Sequence, residues 1–293
     1  MKEFSNVWLV VILLAVAVIC TVVGLWLLLS SKQTQHAKEK EDNRNAVHRA
    51  LADSTETKIY NLIILDASGS MERIYSQALT GVNETLASIR MSQKKHPELQ
   101  QFVTLASFSA GEQFLNRIYS SMPIMEARNI TSEDYPLLGC TALYDAMGVC
   151  ISELQHAVTH DDRVLVSIIT DGYENASCTW SGSQIKSLVE ELRQMGWTFT
   201  YIGADQDVEK VAGEMGIRNS LCFSASAEET NAMFAKERRC RSKYYSVMCA
   251  EMQSPSSSMT ESTNYFADCD DNVNEDSSPK SKSKSLKDWL FGK

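Results

Sequence analysis

Five residues of this 293-residue chain carry side chains suited to holding a hard cation. Asp66, Ser68 and Ser70 stand in Asp66-Ala67-Ser68-Gly69-Ser70, directly after the apolar run Tyr60 to Leu65, so a carboxylate and two hydroxyls emerge from the end of a buried strand. Asp171 closes a second apolar run, Val164 to Ile169, and precedes Gly172, which can turn tightly. Thr141 heads a helix within Gly139-Cys140-Thr141-Ala142-Leu143-Tyr144-Asp145. Two carboxylates at neighbouring strand ends repel unless a cation lies between them, so Asp66 and Asp171 predict either a raised pKa or a bound metal. Oxygen-only donors select a hard divalent ion, Mg²⁺ first, with Mn²⁺ or Ca²⁺ as alternatives. The hydroxyls of Ser68, Ser70 and Thr141 coordinate without adding charge, which leaves such an ion in want of one more oxygen donor.

The D-x-S-x-S element, the loop Thr and the strand-ending Asp, in that order, resemble the metal-ion-dependent adhesion site of the von Willebrand factor type A (VWA) family, over residues 56–250. The resemblance implies that Asp66, Ser68, Ser70, Thr141 and Asp171 form a complete site as direct or water-bridged ligands, with an Asp or Glu of a protein partner in the remaining position. Which of the two carboxylates touches the metal directly stays open. Alone, the pentapeptide reads as a turn, because Asp, Ser and Gly are ordinary turn formers. Three elements in order, each at a strand end or helix start, argue against coincidence. A haloacid-type phosphatase needs a second Asp where Ser68 stands, and an esterase elbow needs a G-x-S-x-G that neither Ser68 nor Ser70 satisfies.

From Lys58 onward apolar strands alternate with amphipathic helices, which predicts a doubly wound α/β sheet of Rossmann-like kind. Met71, Ile74, Tyr75, Ala78, Leu79, Val82, Leu86 and Ile89 make the core face of a first helix, and Leu143, Met147, Cys150, Ile151 and Leu154 that of the helix after Thr141. Phe102 to Phe108 and Phe114 to Met122 read as a hairpin across Ala110-Gly111, placing one antiparallel edge strand on a mostly parallel sheet, an edge strand the VWA resemblance also implies. Helices over Gln184–Met195 and Val208–Met215, strands at Val164–Ile169, Trp197–Ile202 and Leu221–Phe223, and a capping box at Ser226 and Glu229 complete the pattern. In such a sheet ligands bind beyond the carboxyl ends of the strands, where Asp66 and Asp171 fall.

Before the domain, residues 1–6 form a short tail and Val7 to Leu29 an uncharged run of 23 residues, long enough as a helix to cross a bilayer. Residues 30–55 read as a polar stalk, and residues 251–293, rich in Ser, Asp, Glu and Lys, as a disordered tail. Lys32, Lys38, Lys40, Arg44 and Arg49 follow the span, against Lys2 before it, which puts the domain on the cytoplasmic side. Seven cysteines after the span, without paired metal-type spacing, are expected as reduced thiols. The net charge of −9 leaves no footprint for nucleic acid, and Lys236, Arg238, Arg239, Arg241 and Lys243 read as a solvated helix face. His36, His48, His96, His156 and His160 show no ligand spacing and read as surface or helix-end residues.

The expected function is a membrane-anchored binding module, not an enzyme, that engages an acidic group of a protein partner through the metal. An accessory subunit of an ATP-driven (AAA-type) assembly is a second expectation. A metal-assisted hydrolase is a third and would need a base, for which Glu174 is the nearby candidate.

Overall fold

The computed structural model describes residues 58–252 together with Tyr265 and Phe266. The expected span at 7–29, the stalk at 30–55 and most of the tail lie outside the described residues. Among the described residues no helix is long and apolar enough to cross a membrane.

Six strands, β1 (Lys58–Asp66), β2 (Gln100–Phe108), β3 (Leu115–Pro123), β4 (Arg163–Thr170), β5 (Thr198–Ala204) and β6 (Asn219–Phe223), form one sheet in the order β3-β2-β1-β4-β5-β6. Every pairing is parallel except β2 with β3, so the expected antiparallel edge strand is present. Five helices cover the two faces: α1 (Tyr75–Lys95), α2 (Leu143–Gln155), α3 (Gly182–Gln194), α4 (Val208–Glu214) and α5 (Ala227–Met252). A 3-10 turn over Gly69–Ile74 links β1 to α1, so Met71 and Ile74, expected in the first helix, are buried one element earlier.

The period of two along β1 assigns its residues to two cores. Ile59, Ile63 and Leu65 pack on the face covered by α1 and α5, while Tyr60, Leu62 and Ile64 pack on the face covered by α2, α3 and α4. With both faces buried, β1 and β4 are mainly apolar on both sides, interrupted inside only by Asn61 and Ser167, and do not alternate, the usual pattern of a central parallel strand. The register aligns Leu65 with Ile169, which sets Asp66 beside Thr170 and brings Asp171 to the same end of the sheet. On the partner side Asp66 aligns with Phe108 of β2.

Arg241 departs from the solvated face expected of the basic cluster on α5. Its side chain is 1% exposed, paired with Glu237 at 2.6 Å and donating to Asn61 Oδ1 at 3.0 Å and Ser167 Oγ at 2.7 Å. The cause lies in the strands: Asn61 and Ser167 are polar positions on the inner face of β1 and β4, and buried polar groups need partners. Tyr245 donates to the same Asn61 oxygen at 2.6 Å. Tyr265 and Phe266, inside the expected disordered tail, are buried, and the Tyr265 N–H donates to Asn219 Oδ1 at 3.1 Å. Cys140, Cys150, Cys178, Cys222 and Cys249 are free thiols, as expected, whereas Cys240 is disulfide-bonded and so differs from that expectation.

Helices α1 and α5 approach closely at Gly81, where an added Cβ would lie 2.2 Å from the Phe234 ring. Phe234 is buried and held between the helix and the sheet, so it cannot swing aside without repacking. Gly81→Ala is expected to lower unfolding free energy by about 1–3 kcal/mol despite alanine's better helix propensity, read as a lower denaturant midpoint at unchanged slope.

Candidate metal centre

The five expected ligands converge at the carboxyl end of the sheet from three separate stretches of chain. Asp66 ends β1 with its side chain fully buried. Its Oδ1 accepts the Ser68 N–H at 2.7 Å, which curls the chain so that the Ser68 and Ser70 hydroxyls lie 3.0 Å apart. Ser70 Oγ then donates to Asp171 Oδ1 at 2.5 Å, joining the β1 loop to the β4 loop. Thr141 arrives from the segment before α2. A Cβ at Gly172 would meet Thr141 Oγ1 at 3.1 Å, Ser70 Oγ at 3.5 Å and Asp66 Oδ2 at 3.8 Å. Three oxygens from two segments thus face one small space beside Gly172 of a third, which the missing side chain keeps open.

Burial pushes the Asp66 carboxyl up to about 6, and the nearby charge of Asp171 adds to the rise. Hydrogen bonds from Thr170 Oγ1, at 2.5 Å to Oδ2, and from Ser68 pull the other way without cancelling it. A cationic counterpart comes from Arg73, whose guanidinium lies 3.4 Å from Asp171 Oδ2 and 3.4 Å from Asp205 Oδ2. A buried carboxyl, a second carboxylate beside it and neutral hydroxyls between them form an oxygen-only set, and that donor set fits a hard divalent cation.

The loops around these residues are fixed by carboxylates and backbone amides. Asp145 accepts the N–H groups of Cys178, Thr179 and Trp180 at 2.7–2.9 Å, which closes the loop after β4 onto the start of α2. Glu174 accepts from Tyr144 N–H, Ala176 N–H, Ser177 N–H and Ser177 Oγ at 2.7–2.9 Å, so both its oxygens are occupied in shaping that loop. Asn175 bridges to Thr141, accepting its N–H at 2.9 Å and donating its own N–H to the Thr141 carbonyl at 3.1 Å. Tyr135 donates to the Asp66 carbonyl at 2.5 Å and stacks on Tyr75 with ring centroids 5.2 Å apart.

Thr170, Arg73, Tyr135 and Asn175 escaped the sequence reading. Thr170 carried a signal, being the hydroxyl residue immediately before a strand-ending Asp. Arg73, Tyr135 and Asn175 carried none, because their roles depend on loops brought together from as far as 132 positions apart.

No family model matches the sequence, and no curated protein matches it. Among solved structures the chain is similar to the pilus adhesin SpaC from Lactobacillus rhamnosus GG in its open conformation, with a TM-score of 0.51 and 14% identity over 66% of this chain and 31% of the adhesin. Looser likenesses include proximal thread matrix protein 1 from the mussel byssus with a zinc-occupied MIDAS motif, at TM-score 0.43 and 12% identity over 66% of this chain and 46% of that one. The SpRpn10 VWA domain aligns at TM-score 0.42 and 9% identity over 61% of this chain and 94% of that one. The chain spans about a third of the adhesin's length, and at such identity the likeness establishes the fold alone: an α/β sheet with helices on both faces.

The Asp66 environment gives a pH dependence with a definite sign. Because the folded state holds this carboxyl at about 6 against an ordinary 3.8, it binds the proton more tightly than the unfolded chain. The resulting stabilisation is full below the unfolded value and is lost as pH rises through about 6, a change of roughly 3 kcal/mol. Asp66→Asn keeps the shape and can still accept from Ser68 N–H. In chelator, it is expected to flatten the fall in stability between pH 4 and 7 and to be about 1–3 kcal/mol more stable than wild type at pH 7, measured by denaturant titration.

Proposed function

We propose that this chain is a protein-binding module that holds a divalent cation, Mg²⁺ first, through Asp66, Ser68, Ser70, Thr141 and Asp171, and engages an acidic group of a protein partner there. The observation that carries the proposal is the convergence of Thr141, Ser70 and Asp66 oxygens on the space beside Gly172. A bound cation would neutralise the carboxylate pair and present a Lewis-acidic position to an incoming Asp or Glu. Asp66 and Asp171 supply the charge, while the neutral hydroxyls leave that charge incompletely balanced and so favour an anionic partner. Ser70 and Ser68 orient Asp171 from one side, and Asn175 fixes the Thr141 backbone from the other. Glu174, the candidate base for a hydrolase, has both oxygens engaged in loop hydrogen bonds, which supports a binding role over a catalytic one.

Thr141→Ala removes one neutral oxygen from this set while leaving both backbone bonds to Asn175 intact. The variant of the full chain is expected to stay folded, to lose the Mg²⁺-dependent rise in unfolding temperature shown by wild type, and to lose the partners that crosslinked capture recovers with wild type in Mg²⁺ but not in EDTA. Capture that is equal for wild type, Thr141→Ala and EDTA-treated protein would place recognition on another surface.

We also propose that residues 7–29 anchor the domain on the cytoplasmic side, on the strength of the basic residues that follow them and of the exposed free thiols Cys140, Cys178 and Cys222. The disulfide at Cys240 favours the opposite, oxidising side. An impermeant thiol reagent on intact cells is expected to leave Cys140, Cys178 and Cys222 unlabelled until lysis, and labelling before lysis reverses the assignment.

A further inference from the structure

A second cluster of donor atoms lies away from the oxygen site, beside the start of β2. His96, Glu98 and Cys249 bring an imidazole nitrogen, a carboxylate oxygen and a sulfur to within 4.8 Å of one another. His96 Nδ1 is 3.0 Å from Cys249 Sγ and 3.3 Å from Glu98 Oε1, and Cys249 Sγ lies 2.8 Å from the same carboxylate oxygen. Two of the three are set by one tight turn. The His96 N–H caps α1 on the Ser92 carbonyl at 2.8 Å, and the Leu99 N–H donates back to the His96 carbonyl at 3.1 Å, with Pro97 in the second turn position, where its fixed φ is favoured. His96 and Glu98 therefore leave a rigid turn two residues apart. Cys249 comes from near the end of α5 and is buried, while half of the Glu98 side chain faces solvent.

We propose that His96, Glu98 and Cys249 form a second metal site, for a borderline-soft divalent cation of which Zn²⁺ is the natural occupant. Nitrogen, sulfur and oxygen donors in one cluster match zinc and its neighbours and not Mg²⁺, which the all-oxygen site suits. Zinc bonds of about 2.0–2.3 Å in tetrahedral angles set donors about 3.3–3.7 Å apart, so the tightest contact, Cys249 Sγ to Glu98 Oε1, opens by about 0.7 Å while His96 Nδ1 and Glu98 Oε1 already lie at that spacing. The Cys249 proton leaves to solvent as its thiolate bonds the metal, and Nδ1 binds as neutral imidazole. Three protein ligands leave a fourth position for water on the exposed Glu98 side. In the metal-free cluster, burial pushes the Cys249 thiol up to about 11, and its hydrogen bond holds the Glu98 carboxyl below the usual range. A cation there would staple the end of α5 to the turn between α1 and β2. The proposal is independent of the function assigned to the oxygen site.

Cobalt separates the two sites, because thiolate ligation gives Co²⁺ a strong near-ultraviolet charge-transfer absorbance that an all-oxygen site cannot give. Chelator-stripped full chain titrated with Co²⁺ is expected to develop this absorbance to saturation at one equivalent, and Zn²⁺ is expected to abolish it. Asp66→Asn leaves it unchanged, Cys249→Ser removes it, and His96→Gln, which keeps the thiol, weakens Co²⁺ binding at least about tenfold. Circular dichroism confirms that each variant is folded. No such absorbance in folded wild type, its retention in Cys249→Ser, or an unaltered affinity in His96→Gln would overturn the assignment.

Discussion

The constraint on which the rest of the structure depends is the register between β1 and β4, which forces Asp66 and Asp171 to share one end of the sheet. Parallel pairing fixes the offset of two central strands over their whole length, and a slip of one residue would send every apolar side chain to the wrong face. The carboxylates are therefore held in place by the burial of Ile63, Ile64, Leu65, Ile168 and Ile169. Burial at that end raises the Asp66 pKa, and the neighbouring Asp171 charge adds a smaller part of the rise.

The loops serve the same end by a different physical means. Asp145 and Glu174 each gather several backbone N–H groups, turning irregular chain into fixed supports for Thr141 and Gly172. Their charge is spent on local hydrogen bonding, whereas Asp66 and Asp171 face one another with few amide donors. Four carboxylates within one stretch of the molecule thus have two kinds of role, decided by how many N–H groups surround each.

Away from that end, the Arg241–Glu237 pair and its Asn61, Ser167 and Tyr245 partners occupy the inner face beneath the central strands. Breaking one partner of such a pair leaves an uncompensated buried charge, so this network fixes how α5 lies on the sheet. With Gly81 admitting Phe234 and Arg238 pairing with Glu84 across to α1, the long last helix is anchored along its length. That anchoring is what brings Cys249 to the His96 turn.

The sequence by itself determined the sheet, its antiparallel edge, the core faces of α1 and α2 and the five candidate ligands, because each rests on local periodicity or on a motif a few residues long. Polar residues inside the β1 and β4 runs were visible too, yet their meaning was not: Asn61 and Ser167 look like interruptions until Arg241 is found beneath them, about 180 positions from Asn61 in sequence. The same holds for His96 and Cys249, which are 153 residues apart and share no spacing rule. Tertiary structure alone decided these pairings and the positions of Arg73, Tyr135 and Asn175, since side chains from separate elements meet only after helices have packed and loops have closed. A hydrophobic pattern says which face of an element is buried; it does not say which distant polar group that face will meet.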